Sequence, residues 1–126
     1  MFLNKLYILA MSNFTINTEK TADIFIVRSN GYLDESGGAA VFSAVDKELP
    51  EGCNKVILNL KESPVINSQG IAQIIELSEI IVDDKGGELA FVGLSDLTYG
   101  VFKMVGLLQM GNPFASESEA IEAMRQ

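Results

Sequence analysis

The segment from Pro64 to Ile71 carries the side chains best placed for chemistry in this 126-residue chain. Its order predicts a loop after a strand and then a helix that begins near Asn67-Ser68-Gln69-Gly70. Unpaired backbone amides and the positive end of the helix dipole meet at such a junction, which suits a phosphate group. Ser68 is therefore a candidate phosphate acceptor. A purely structural alternative stays open, because Ser and Asn are also the commonest helix caps.

The rest of the sequence offers little other chemistry. The chain has no histidine and a single cysteine, Cys53, so it can form neither an internal disulfide nor a His-containing zinc site. Phosphate-cradling, nucleophile-elbow and zinc-hydrolase motifs are absent, and adjacent Asp83 and Asp84 belong to a solvated helix end. We therefore predict no catalytic residues, no metal site and no cofactor. A nucleotide-binding role for the Ser68 helix end stays open as a weaker alternative.

Charge and hydropathy limit the classes of partner. The net charge of −8 repels phosphate backbones and anionic lipid headgroups, so we expect no nucleic acid partner. The apolar run at residues 6–11 is too short for a secretory or membrane-spanning segment, which need at least about 7 and about 20 apolar residues. The sequence thus predicts no membrane insertion, and the lone cysteine favours a reducing compartment.

The chain length predicts one domain with one core. Residues 1–11 form an N-terminal extension whose Met11 could itself be the true start, and residues 12–126 form the domain. Short apolar runs predict strands at 14–18, 24–27, 56–60 and 88–94, with a short edge strand at 114–115. Amphipathic spacing predicts a helix opened by Gly37-Gly38 and stopped by Pro50, followed by helices at 68–84, after Ser95-Asp96, and at 116–126.

Three of these helices carry apolar residues at helical spacing. In the first helix these residues are Val41, Phe42, Val45 and Leu49. In the second helix the inward stripe is predicted to comprise Ile71, Ile74, Ile75, Ile81 and Val82. In the third the corresponding residues are Leu97, Val101, Met104, Val105 and Leu108, and Met104 and Met110 are expected to fill the core. Strands that alternate with helices require right-handed crossovers, which predicts an α/β fold with one mostly parallel sheet.

Several short motifs, in this order, resemble the STAS family. They are Gly31-Tyr32-Leu33-Asp34, Asn67-Ser68-Gln69-Gly70-Ile71, Gly86-Gly87-Glu88-Leu89, Phe91-Val92-Gly93-Leu94 and Val105-Gly106-Leu107. Each motif is weak alone, and their joint order and spacing carry the resemblance, which spans roughly residues 13–125. The resemblance implies a STAS-like α/β fold with a sheet of four to five strands, an N-terminal β-hairpin and about four helices.

The resemblance to the anti-sigma factor antagonists of this family implies a regulatory function by partner switching in a bacterial cytoplasm. Such antagonists bind an anti-sigma factor that is also a serine kinase, until phosphorylation of a loop serine blocks the complex, and a PP2C-like phosphatase resets it. Ser68 takes the place of that serine. We therefore expect phosphorylation at Ser68 and partner contacts at Asn67, Ser68, Gln69 and Gly70.

Two positions depart from the family pattern. Asn67 stands where the family usually has Asp, and Gln69 stands where it usually has Ser or Thr. Asn keeps the shape and capping ability of Asp without its charge, so recognition by a kinase could differ. The alternative to the phosphorylated antagonist is a non-phosphorylated STAS scaffold beside a sensor or transporter.

Overall fold

The computed structural model describes residues 14–125, so the predicted 1–11 extension lies outside the described part of the chain. Five strands form one sheet in sequence order. They are β1 (Thr15–Thr21), β2 (Ile24–Asn30), β3 (Lys55–Glu62), β4 (Glu88–Val92) and β5 (Gly111–Phe114). The β1–β2 hairpin is antiparallel, and β2 to β5 are parallel to one another. The prediction of a mostly parallel α/β sheet with an N-terminal hairpin is confirmed.

Four α-helices connect or follow these strands: α1 (Glu35–Glu48), α2 (Ser68–Glu79), α3 (Asp96–Met104) and α4 (Glu117–Met124). The main core lies between the sheet and the first three helices, where Val41, Ile74 and Phe102 are fully buried. On the opposite face α4 covers a smaller core, in which Ala120 and Met124 pack against β2, β3 and β4. The continuous burial of β3 and β4 arises because helices cover both faces of these central strands.

The second helix contains a change of helical type that the periodicity did not predict. The α-helix ends at Glu79, and residues Ile80–Asp84 continue it as a π-helix before Gly86. Of the predicted inward stripe, Ile74 and Ile81 are fully buried, whereas Ile71, Ile75 and Val82 pack half-buried against the core. The predicted helix from 68 to 84 is therefore present and its inward face is confirmed, but its last turn is a π-helix rather than an α-helix.

The predicted face of the third helix is wrong for three residues. Leu97, Met104 and Val105 are exposed, and the side chains that α3 buries are Thr98 and Phe102. Met104 is therefore not a core residue, and Met110 is only half-buried. Apolar spacing identified the helix correctly but could not tell an apolar face that meets the core from one that meets solvent.

Other helix and strand ends differ from the sequence prediction by a few residues. Helix α1 begins at Glu35 rather than at Gly37, because the Asp34 side chain accepts a hydrogen bond from the Gly37 amide at 2.8 Å and caps the helix there. The hairpin strands extend to Thr21 and Asn30, which leaves only Ala22 and Asp23 as the turn. The last helix begins after Ser116, and the Ser116 side chain caps it. Its sequence allows either Ser116 or Ser118 as the cap, and the structure shows Ser116.

Candidate functional site

Two loops run side by side at the carboxyl ends of β2 and β3. The Leu33 amide donates to the Val65 carbonyl at 3.0 Å, and the Asn67 amide donates to the Leu33 carbonyl at 3.1 Å. This isolated parallel bridge extends the β2–β3 pairing past the strand ends. It carries the start of α2 to a position beside the start of α1.

Asn67 is the N-cap of α2. Its side-chain oxygen Oδ1 accepts a hydrogen bond from the Gly70 amide at 3.0 Å, and its backbone carbonyl accepts from the Ile71 amide at 2.9 Å. Asn67 has an extended backbone, with φ of −107° and ψ of 179°, as an N-cap residue normally has. The helix start is therefore stabilised by Asn67, which leaves Ser68 without a capping role.

Gly70 lies where the first turn of α2 packs against the loop before α1. A Cβ atom at this position would overlap the Leu33 carbonyl oxygen and would also crowd Ile66. Gly70 is buried, so its predicted contact with a partner stays a prediction, whereas its close contact with Leu33 is a feature of the fold. Because Gly70 has no side chain, α2 approaches this loop closely, and Ser68 lies near the carboxyl ends of β2 and β3.

Ser68 and Gln69, the first two residues of α2, are exposed. Among residues 14–125 the Ser68 hydroxyl forms no hydrogen bond, since the capping oxygen comes from Asn67. The hydroxyl thus stands at the positive end of a helix dipole, open to solvent. A phosphoryl donor or a partner can reach it without unfolding any part of the described structure.

Two exposed apolar side chains belong to the loops beside Ser68, and the sequence analysis did not single them out. Tyr32 is 49% exposed and precedes Leu33, and Val65 is 48% exposed and follows Pro64. Exposed apolar side chains mark a protein-binding surface when they form one contiguous patch. The signal in the sequence was an apolar residue in a short loop, which alone does not separate a buried from an exposed position.

Hydroxyl groups fix the loop that leads into Ser68. The Pro64 carbonyl accepts hydrogen bonds from the Ser95 hydroxyl at 2.9 Å and the Thr98 hydroxyl at 3.3 Å, which ties the loop to the start of α3. Below it, Ser29 and Ser63 share a buried hydrogen bond of 2.7 Å. These contacts hold the loop in place and restrict where the Ser68 hydroxyl can lie.

Two ion pairs along the sheet shift pKa values. Hydrogen bonds from Arg28 hold the pKa of Glu117 below its ordinary value, and this pair also raises the pKa of Arg28. A hydrogen bond from Lys55 lowers the pKa of Asp23, at an Nζ–Oδ2 distance of 3.2 Å. These pairs join β2 and β3 to neighbouring elements, so the geometry gives them a structural role.

Within the described part of the chain, no three His, Cys, Asp or Glu residues are grouped closely enough to hold a metal ion. None of the helices between residues 14 and 125 is long and apolar enough to cross a membrane.

The sequence and the fold match one family. The STAS domain model matches residues 15–120, which include all five strands and the first half of α4. The chain belongs to the STAS domain family. No curated protein matches the sequence. The STAS assignment therefore rests on the family match, and the strand order agrees with it.

Solved structures share this STAS fold. A candidate anti-sigma factor antagonist from Thermotoga maritima superposes with a TM-score of 0.78 at 23% identity, over 88% of this chain and 95% of that one. The phosphorylated form of the Bacillus cell fate determinant SpoIIAA superposes with a TM-score of 0.69 at 20% identity, over 87% and 99%. A sulfate transporter family protein from Wolinella succinogenes has a TM-score of 0.72 at 21% identity, over 85% and 88%. At these identities the likeness shows a common fold.

Proposed function

We propose that this STAS domain is an anti-sigma factor antagonist that binds an anti-sigma factor and is released from it when Ser68 is phosphorylated. The kinase in this scheme is the anti-sigma factor itself, and a PP2C-like phosphatase restores the unmodified serine. Asn67, Ser68, Gln69 and Gly70 form the switch segment, with Tyr32 and Val65 as neighbouring apolar contacts. The domain performs no chemistry of its own in this proposal.

One observation carries the proposal: the Ser68 hydroxyl is exposed and takes no part in the cap of α2, because Asn67 supplies the capping oxygen. A serine that capped the helix would lose part of its structural role when modified. Ser68 can instead gain or lose a phosphate while the helix start keeps its hydrogen bonds. The likeness to SpoIIAA, solved in phosphorylated and unphosphorylated forms, supports this use of the fold.

Phosphorylation would act on binding rather than on folding. A phosphate adds about −1.5 to −2 charges and a bulky solvated group. At the start of α2 the helix dipole favours that charge by up to about 1 kcal/mol, so the isolated domain keeps its fold. In a complex the same group must be desolvated, which costs several kcal/mol. The binding free energy of a micromolar complex is ~8 kcal/mol, so this cost is enough to release the partner.

The departures at Asn67 and Gln69 bear on recognition by the kinase. Asn67 uses its Oδ1 to cap α2, a task that an aspartate performs equally well, so the missing charge leaves the geometry of the loop intact. Gln69 is exposed and has no packing role in α2. A kinase that acts on this domain must therefore accept a neutral residue before the serine.

The alternative is a STAS scaffold that binds a sensor or transporter and is never phosphorylated, and the likeness to the Wolinella protein is the observation that favours it. The two functions differ in the fate of Ser68. We expect the anti-sigma factor that co-purifies with the native chain to transfer phosphate from ATP to Ser68, detected by mass spectrometry of the intact protein and its peptides.

The matched control is Ser68→Ala, which removes only the acceptor. Phosphate on the parent protein and none on Ser68→Ala would support the antagonist function. The scaffold function would replace the antagonist function if a sensor or transporter co-purified and Ser68 carried no phosphate, either in the cell extract or after incubation with ATP.

A further inference from the structure

Helix α3 presents an apolar stripe to solvent. Leu97 and Met104 are 57% and 78% exposed, and Val101 between them is half-buried. Spacings of three and four residues place Leu97, Gly100, Val101 and Met104 on one face of the helix. Exposed apolar faces of this kind mark association surfaces, because their burial is favourable in proportion to the area removed from water.

The attachment of α3 to the domain does not use this stripe. Phe102 is fully buried and meets Phe91 edge to face, with ring centroids 5.0 Å apart. At the start of the helix, Thr98 is buried and joins Ser95 in bonding the Pro64 carbonyl. Leu97 and Met104 are thus available to a second surface while α3 stays seated on the sheet.

Gly100 occupies the middle of the stripe. Apart from the adjoining residues and the backbone of α3 itself, no atom of the described residues lies within 4 Å of the position that a Cβ at Gly100 would take. Glycine is a poor helix former, and the domain itself gives no steric reason for it here. A small residue at the centre of an apolar helix face does allow a second helix to approach closely.

The two charged residues of α3 lie at opposite ends on the same flank of the stripe. Asp96 is the first residue of the helix, and Lys103, seven positions later, is in its last turn. When two such helices pack antiparallel, residues flanking the apolar seam form pairs across it, as in coiled coils. The charge pattern of α3 is therefore complementary to a second copy of itself in the antiparallel orientation.

We propose that two copies of this chain associate through antiparallel packing of their α3 helices about a two-fold axis. The Leu97 and Met104 side chains of each copy meet across the seam, and Gly100 lies at its centre. Asp96 faces the partner's Lys103, and Lys103 faces the partner's Asp96. This is an isologous contact, which closes after two copies.

The contact is small. One stripe on a helix of nine residues covers less than the ~800 Å² per partner of a standard interface, and each copy carries a net charge of −8. The dimer is therefore reversible, with a dissociation constant on the order of 10 to 1000 μM. Its test uses neither Ser68 nor an anti-sigma factor, so the dimer can fail without the proposed antagonist function failing, and the reverse.

Sedimentation equilibrium of the full chain over this concentration range tests the dimer. The parent protein is expected to show a monomer–dimer equilibrium, and Met104→Glu is expected to raise the dissociation constant at least tenfold. Ala123→Glu adds the same charge at an exposed position of α4 and should leave it unchanged. A parent protein that stays monomeric throughout, or equal effects of the two variants, would overturn the proposal.

A charge exchange tests the antiparallel orientation. Asp96→Lys alone pairs Lys with Lys across the seam, and Lys103→Glu alone pairs Asp with Glu, so each variant should dimerise more weakly than the parent. Mixed together they form two attractive pairs per dimer, and a heterodimer should appear that is tighter than either homodimer. Circular dichroism confirms that both variants are folded. A mixture that associates no better than its components would contradict the geometry.

Discussion

Gly70 packs directly against the carbonyl oxygen of Leu33, so the first turn of α2 rests on the loop that precedes α1. The same carbonyl accepts a hydrogen bond from the Asn67 amide at 3.1 Å. Leu33 thus holds the switch segment on both sides of Ser68, once through a hydrogen bond and once through a close steric contact. The position of the Ser68 hydroxyl depends on a residue 35 positions away in the sequence.

We expect Gly70→Ala to lower the free energy of unfolding by about 2 kcal/mol or more. The added methyl group overlaps backbone rather than a flexible side chain, so the start of α2 must shift to accept it. Urea unfolding followed by circular dichroism measures the change.

Gly100→Ala is the matched control in α3. Here the methyl group points into open space, and the helix gains about 0.5–1 kcal/mol from the better propensity of alanine. A destabilisation by Gly70→Ala no larger than the effect of Gly100→Ala would mean that the contact with Leu33 is looser than described.

Ile74→Asp is expected to destabilise the domain by about 3–5 kcal/mol, because it places an unpaired charge at a fully buried position of α2. Glu76→Ala, on the exposed face of the same helix, should change the free energy of unfolding by less than about 0.5 kcal/mol. Thermal melts of both variants compare them. Melting temperatures that moved equally little would show that the inward face of α2 is assigned wrongly.

The start of α2 was predictable from the sequence because its signals are local. A cap residue, a glycine and an apolar periodicity lie within a few positions of Asn67, and the structure confirms the helix start there. The contact of Gly70 with Leu33 was not predictable, since it joins two loops far apart in the chain. The hydrophobic pattern fixes which strands and helices form, but not how closely two loops approach.

Helix α3 shows a second limit of prediction from the sequence. Leu97 and Met104 have the spacing of core residues, yet the core contact of this helix is made by Phe102. Apolar periodicity records which residues avoid water, and both a core and an association surface satisfy it. The change to a π-helix at Ile80 likewise leaves little trace in the sequence, because it alters the hydrogen bonding and not the kind of residue required.

Glu117 connects the start of α4 to the sheet through Arg28. The Arg28 Nε donates to Glu117 Oε2 at 2.7 Å and its Nη2 donates to Oε1 at 2.9 Å, and Asn59 adds a third hydrogen bond at 2.6 Å. Both charged side chains are partly exposed, so solvent weakens the pair. Glu117→Gln should cost about 1 kcal/mol of stability at pH 7.

The pKa of Glu117 is lowered in the folded protein from its ordinary value of 4.5, chiefly by the hydrogen bonds from Arg28. Its contribution is therefore fully present above pH 4.5 and is lost as the pH falls through the lower, folded value. The stability difference between the parent and Glu117→Gln should shrink in that acid range, as measured by urea unfolding at a series of pH values. A difference that grew on acidification would contradict the ion pair.

Asn67→Ala should cost about 1 kcal/mol, because it removes the oxygen that accepts from the Gly70 amide. Ser68→Ala should cost less than half of that, since its hydroxyl is exposed and does not cap the helix. Asn67→Asp should retain the cap and restore the charge usual in the family. If Ser68→Ala proved the more destabilising of the two alanine variants in urea, the capping role would belong to Ser68.

In the proposed function, negative charge at Ser68 controls binding without altering the fold, and the affinity of the co-purifying anti-sigma factor for charged variants tests this most directly. Ala123→Glu is the matched control, because it adds the same single charge at an exposed position of α4, on the opposite face of the sheet from α2. Ser68→Ala should bind as the parent protein does. All variants should melt close to the parent temperature.

Isothermal titration calorimetry of the anti-sigma factor with Ser68→Asp and Ala123→Glu gives the comparison. We expect Ser68→Asp to weaken the complex at least tenfold and Ala123→Glu to weaken it by less than threefold, because only the first places charge where the phosphate would lie. Equal affinities of Ser68→Asp and the parent protein for that partner would contradict the switch at Ser68.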